Sequence, residues 1–181
     1  MGRKVLTWRT FRPINEVLAP TLAGHAGGPS FGDEEASDEV LVDALETMLD
    51  DLAWEAPAVA GNSLGGYVAM RLAERGRARS VVTIAPAGGW ADDDPAIATT
   101  IRYFRAMAPL VREAAPQALE IAATPEGRKR ATAPYASNAD PAVRFRAEFP
   151  QAEWIEIDGV GHCPQLDHPT ETAELIAGFS A

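Results

Sequence analysis

The sequence predicts an α/β fold built on a small, mostly parallel sheet flanked by helices, and three observations carry that reading. The apolar run Pro57-Ala58-Val59-Ala60 passes through Gly61-Asn62-Ser63-Leu64-Gly65-Gly66 straight into the helical pattern of Tyr67 to Leu72. Ser80-Val81-Val82-Thr83-Ile84-Ala85 is the best β-strand in the chain, rich in β-branched residues and stopped by Pro86, Gly88 and Gly89. Strand and helix alternate along the chain, an order that calls for right-handed crossovers and parallel pairing.

Taken in order, Val17-Leu18-Ala19-Pro20 reads as a short buried strand entering the Gly24-His25-Ala26-Gly27-Gly28-Pro29 loop. Ser37 is placed as a helix N-cap, with Asp38 and Glu39 in the first turn where they suit the helix dipole. Leu41, Leu45, Met48 and Leu52 then set one apolar stripe on a helix of about four turns. The helix after Ser63 is expected to end near Gly76, with Arg75, Arg77 and Arg79 at its C-terminal end. Asp94-Pro95 opens another helix, with Ile97, Ile101, Phe104, Ala108 and Val111 on one face. The Ala-rich stretch from Pro116 to Asn138, interrupted by Pro125 and Pro134, reads as mixed helix and loop. Asp140-Pro141 opens a short helix through Phe149, and Trp154-Ile155-Glu156-Ile157 is expected as a last strand. Pro169 begins the final helix, its buried side carrying Leu175, Ile176 and Phe179. There is no internal repeat, heptad run or low-complexity linker.

Bulk properties narrow the function. At 181 residues the chain is expected to be a single domain spanning 1–181. A net charge of −10 is wrong for a nucleic-acid footprint or for docking on an anionic membrane surface. Met1 to Thr10 hold no long apolar run, so no signal peptide is expected, and no stretch reaches bilayer-spanning length. The lone Cys163 excludes an internal disulfide. A cytoplasmic location fits these features. Metal and cofactor binding find little support: there is no H-E-x-x-H, no paired C-x-x-C and no Walker lysine, and His25, His162 and His168 are scattered. A small-molecule substrate is the expected partner.

The turn at Ser63 has the form G-x-S-x-G. A nucleophilic serine needs a sharp turn that exposes its Oγ and leaves nearby backbone N–H groups free, and small residues two before and two after let strand and helix approach. The helix start behind it favours developing negative charge. A turn serine without chemistry is the competing account.

Leu18-Ala19-Pro20-Thr21-Leu22-Ala23-Gly24-His25, Gly61 to Gly66 and Ile157-Asp158-Gly159-Val160-Gly161-His162 stand in this order. They resemble the fourth-strand loop, nucleophile elbow and histidine loop of α/β-hydrolase fold enzymes. Ala85 to Trp90 and Phe145 to Pro150 are similar to the same family, so the resemblance covers nearly the whole chain. It implies Ser63 as nucleophile, His162 as general base and the Leu64 N–H as one oxyanion donor. It implies hydrolysis of a small, mostly apolar carboxylic ester-type substrate, under a reduced helical lid at about residues 91–138. Serine at the nucleophile position argues against the dehalogenase branch, which uses an aspartate there, and does not separate esterase from amidase, C–C hydrolase or perhydrolase chemistry.

The chain departs from the family pattern in having no upstream His-Gly loop for a second oxyanion N–H and no strand ending in the usual triad Asp. Because neighbouring strands lie ~4.8 Å apart, a missing strand shifts the histidine loop by one sheet position relative to Ser63, so another segment must fill the gap or the Ser–His contact changes. Asp140, just upstream of a helix, is the candidate acid, although its position is read more simply as the N-cap for the helix that Pro141 opens. Asp92, Asp93 and Asp94 are read as an acidic turn. His25 is expected to bond local backbone, His168 to start the last helix, and Cys163 to be a half-buried thiol. Trp90, Tyr67 and the Ile97–Val111 stripe are candidate pocket walls or plain core. Two other readings stay open at this point: a catalytically silent binding module, and an incomplete chain that requires a partner.

Overall fold

Ser37 begins the first helix as its sequence position predicts. In the computed structural model, which describes residues 16–25, 27–32, 37–89, 95–124, 126–127 and 143–180, the Ser37 Oγ accepts the Val40 N–H at 3.3 Å. Helix α1 then runs Asp38–Asp51. Its buried face is Leu41, Val42, Leu45 and Leu49; of the expected stripe Leu41 and Leu45 are buried, Met48 packs against them half-buried, and Leu52 does not take part. The helix stops at Asp51, so Leu52 falls in the turn that follows and stays 43% exposed.

Strand β1, Ala58–Asn62, leads through Ser63 into helix α2, Leu64–Glu74. That helix ends where glycine permits it. Gly76 takes φ +73°, its N–H donates to Ala73 O at 2.9 Å, and the Arg77 N–H donates to Leu72 O at 2.8 Å. This is the paired closure in which a left-handed residue satisfies the last carbonyls. Arg75 pairs with Asp43 and with Glu46 at 2.6 Å, and Arg77 pairs with Asp50 at 2.7 Å, which ties the end of α2 to α1. These exposed pairs are worth at most about 1 kcal/mol each.

Strand β2, Ser80–Ile84, lies parallel to β1, with Ala58 opposite Ser80 and Asn62 opposite Ile84. The β1–α2–β2 unit is the sheet among the described residues. Side chains alternate across it. Val59 packs with Leu41, Leu45, Leu49, Val68 and Leu72 on the α1/α2 side, whereas Ala60, Val82 and Ile84 pack on the other side with Val17, Ala173 and Ile176. The result is three layers: two helices, a two-stranded sheet, and the C-terminal helix.

Two expected strands are not formed. Residues 17–20 and 154–157 are irregular, with Leu18, Trp154 and Ile155 exposed. The physical reason is that β-propensity measures fit to a half-buried pleated surface and not a property of the segment alone. Neither segment is bonded to an edge of the sheet.

After β2, helix α3 (Ala96–Ala114) continues into a single 3-10 turn at 115–117 and α4, Ala118–Ala123. The expected stripe on α3 is not core: Ile101, Phe104 and Val111 are all exposed. The short helix α5 is Val143–Glu148, inside the range expected from Pro141 onward, and Phe145 buries its ring there. A short helix α6 (Pro164–Asp167), which the sequence reading lacked, precedes α7, Pro169–Ser180. Thr172, Ala173 and Ile176 are its buried face, and Phe179, expected inside, is 40% exposed. Among the described residues no helix is long and apolar enough to cross a membrane.

The parity of β1 fixes which backbone groups β2 can reach. Pro57 O and Ser63 N–H both bond toward β2, so Val59 and Gly61 share that side, while Ala58 and Ala60 present N–H and C=O to the outer edge. That edge lines a cavity of ≈ 870 Å³. Amide hydrogen exchange should therefore be faster at Ala58 and Ala60 than at Val59 and Gly61. Equal protection at all four would show a partner strand on the outer edge.

Candidate active site

Ser63 sits where strand becomes helix, and the backbone there is bent into a conformation few L-residues adopt. Its φ is +54° and ψ −119°, a geometry that costs about 1–3 kcal/mol for a residue with a Cβ. Three hydrogen bonds hold it: Ser63 N–H donates to Ile84 O at 2.9 Å, and Ser63 O accepts from Tyr67 N–H at 3.1 Å and Ala87 N–H at 3.0 Å. The strain is thus fixed jointly by β2, α2 and the turn after β2. The Ser63 Oγ caps nothing on α2 and has no hydrogen-bond partner among the described residues.

The glycines around it are not equivalent. A Cβ on Gly61 would lie 2.1 Å from Gly65 O and 2.3 Å from Gly65 C, both backbone atoms that cannot yield. A Cβ on Gly66 would press on Pro86 at 3.0 Å and Gly61 O at 3.1 Å. At Gly65 a Cβ would meet nothing within 4 Å. The expectation of small residues on both flanks is sharpened: Gly61 makes the close approach, and Gly65 supplies the backbone that is approached.

Leu64, Gly65 and Gly66 open α2, so their N–H groups lie in the turn that has no intrahelical acceptors. Leu64 N–H, next to Ser63, is free to donate to an anion forming there. The cavity along β1 reaches this point. Leu45, Leu49, Trp54, Val68 and Leu72 give it an apolar wall, and Asn62, Ser63 and Leu64 stand at its polar end.

His162 comes to this end through its backbone. The Asn62 side chain donates from Nδ2 to His162 O at 2.9 Å and to Ile84 O at 2.9 Å. Its Oδ1 accepts from Gln165 Nε2 at 3.3 Å and from the Cys163 thiol at 3.4 Å. The imidazole is half-buried, and that desolvation pushes its pKa below the ordinary histidine value. That shift favours the neutral ring, the form that can take a proton. The structure contains no Ser63 Oγ–His162 hydrogen bond; what joins the two loops is Asn62, a residue the sequence reading quoted and gave no role. The signal was present in the alternation of β1, which puts Asn62 on the same face as Ala60 and therefore toward the C-terminal helices.

The remaining candidates sort cleanly. Asp140, the candidate acid, lies outside the described residues, as do Asp92, Asp93, Asp94 and Trp90. His25 Nδ1 lies 3.1 Å from Ala23 O, the local backbone bond expected, and the residue also lines the cavity. His168 stands before α7, with Nδ1 3.0 Å from Glu171 and its carbonyl accepting Thr172 N–H. Cys163 is half-buried, and burial together with the nearby Asp167 raises its thiol pKa. Tyr67 is not a pocket wall: its hydroxyl donates to Asp38 at 2.8 Å on the α1 side. Among the described residues no group of three or more His, Cys, Asp or Glu is placed to hold a metal ion.

Comparison with known proteins matches these features. A model described as "Alpha/beta hydrolase family" matches residues 6–175. Epoxide hydrolase EphH of Mycobacterium tuberculosis (strain ATCC 25618 / H37Rv) is 42% identical over 143 residues, which is 79% of this chain and 64% of that relative. The chain therefore spans under two thirds of that curated relative's length. No solved structure matches the chain.

Four substitutions test the turn. Gly61→Ala should destabilise by about 3 kcal/mol or more, since backbone must move, whereas Gly65→Ala should be neutral or stabilising by up to ~1 kcal/mol. Ser63→Gly, which relieves the positive φ, should be more stable than Ser63→Ala by about 1 kcal/mol. Denaturant unfolding of the parent and the four variants measures these differences, and equal effects at Gly61 and Gly65 would contradict the geometry.

Proposed function

The chain belongs to the alpha/beta hydrolase family, and on that premise we propose that it is a serine hydrolase of small, mostly apolar carboxylic esters, working through Ser63 and His162. The observation that carries this reading is the strained turn that leaves Ser63 Oγ unengaged beside the first N–H of α2.

The chemistry follows from the groups present. Ser63 Oγ attacks the ester carbonyl while His162 takes its proton, and the carbonyl oxygen becomes an oxyanion. The Leu64 N–H and the positive end of α2 stabilise that charge. Collapse expels the alcohol, which recovers the proton from His162, and leaves an acyl group on Ser63. Water, losing a proton to His162, then hydrolyses the acyl-serine. A cavity of ≈ 870 Å³ with walls of leucine and valine supports an apolar acyl or alcohol part. The Leu64 N–H is the oxyanion donor identified among the described residues, and a second donor would add about 3 kcal/mol of stabilisation.

Epoxide hydrolysis is a second reading, favoured by the name of the 42%-identical relative. It demands other chemistry at this site. Opening an epoxide with a serine oxygen produces an ether, which water does not cleave, so Ser63 would become a dead end after one cycle. Turnover would require His162 to activate water directly. Ester cleavage depends on Ser63, and epoxide opening in this site does not.

A fluorophosphonate probe and paired ester and epoxide substrates separate the two. The parent should be labelled, Ser63→Ala should lose labelling and esterase activity, and His162→Ala should slow both by about 10³-fold. Epoxide turnover that survives Ser63→Ala would favour the second reading. No labelling of a folded parent would leave a scaffold without hydrolase chemistry. Asp140→Asn in the same assay tests the candidate acid, with a loss of ~10⁴ in rate expected if it orients His162. Because burial lowers the pKa of His162, labelling should rise with pH along a limb centred below about 6.5 and stay flat above it. A limb centred above 7 would exclude His162 as the base.

A further inference from the structure

His162 belongs to a loop that the sheet does not hold. Residues 154–157 form no strand, so no ladder of backbone bonds sets the position of the segment that follows against β1. Yet the His162 carbonyl reaches the end of β1, and the group that meets it is one amide. Asn62 has two N–H donors and two lone pairs on its oxygen. All four are used: the donors by Ile84 O and His162 O at 2.9 Å each, and the oxygen by Gln165 Nε2 and the Cys163 thiol. Carbonyls can only accept, so the amide's orientation is dictated by its partners. Three of the four partners lie between residues 162 and 165, and the fourth is the end of β2, the same carbonyl that accepts Ser63 N–H.

We propose that Asn62 is the positioning residue that registers the His162 loop against the Ser63 turn, in place of the strand pairing that residues 154–157 do not make. The proposal rests on the Ser63–His162 reading for its catalytic consequence, though not for the placement itself. Asn62 acts through covalent continuity on one side, as the residue before Ser63, and through its amide on the other. A shift of Ser63 is thereby passed to the loop through Asn62. Aspartate is the informative replacement, because it has the same shape but cannot donate and sets a carboxylate against two carbonyl oxygens. Leucine removes all four bonds at similar volume. A misplacement of about 1 Å between reacting groups is enough to cost ~100-fold in rate.

The test uses Asn62→Asp and Asn62→Leu in the full chain, with two readouts. With p-nitrophenyl butyrate, kcat should fall about 100-fold in both variants while KM changes little. By NMR, the His162 imidazole signal, assigned through its loss in His162→Gln, should titrate below the ordinary range in the parent and move upward in the variants as the ring becomes solvated. Asp167 is the neighbouring charge, accepting Gly161 N–H at 3.4 Å, and Asp167→Asn in the same background corrects for it. If Asn62→Leu does not fold, Gln165→Ala, which removes one donor to Oδ1, carries the same measurement with about a threefold effect. A folded Asn62 variant with an unchanged His162 titration and unchanged kcat overturns the proposal. A purely structural role would lower the unfolding temperature and leave both readouts unmoved. If the parent hydrolyses nothing but the titration still moves, the placement stands and the hydrolase reading fails.

Discussion

The site depends on the backbone of one residue. Ser63 takes a positive φ because β1 must hand over to α2 within a single residue, and its N–H and C=O are claimed by Ile84, Tyr67 and Ala87. Those bonds tie the turn to the second strand, to the first turn of the helix, and to the turn that follows β2. Gly61 allows this by placing its Cα against the Gly65 carbonyl, where no side chain fits. Everything functional in the proposal is a consequence: the unengaged Oγ, the unclaimed Leu64 N–H, and the Asn62 side chain projecting toward the C-terminal helices.

The parts that hold this turn are local, and they were legible for that reason. A β-branched strand stopped by proline and glycine, a G-x-S-x-G turn, a serine before two acidic residues and a glycine at a helix end each report a conformation within a few residues. The structure agrees at β1, β2, the start of α1 and the end of α2. The two missing strands share a cause. Residues 17–20 and 154–157 look like strands, but a strand exists only when an edge receives it, and that partner is not encoded in the segment. The stripe expected on α1 runs one residue past the end of the helix, leaving Leu52 in the turn, and Phe179 near the end of α7 faces outward.

The role of Asn62 was hidden for a related reason. Its partners are 22 to 103 positions away in sequence, and nothing in a local pattern ranks it above the other polar residues of the loop. Only the alternation of β1 gave its direction. Family resemblance singled out Ser63, Leu64 and His162 by motif, but a motif does not show how the Ser63 turn and the His162 loop are kept in register. Asp140 remains a sequence-level candidate, since it falls outside the described residues. Among the described residues, four hydrogen bonds of one amide tie the histidine loop to the ends of β1 and β2, which predicts low tolerance at that joint.

The most direct test of the account is whether Ser63 becomes acylated during turnover. The protein would be mixed with an activated butyrate ester, quenched in acid within milliseconds to seconds, digested and mapped by mass spectrometry. The account predicts a burst of alcohol release and a butyryl group on the peptide that contains Ser63, disappearing as substrate is exhausted. Steady turnover with no adduct, or an adduct on Cys163 or another residue, would contradict it.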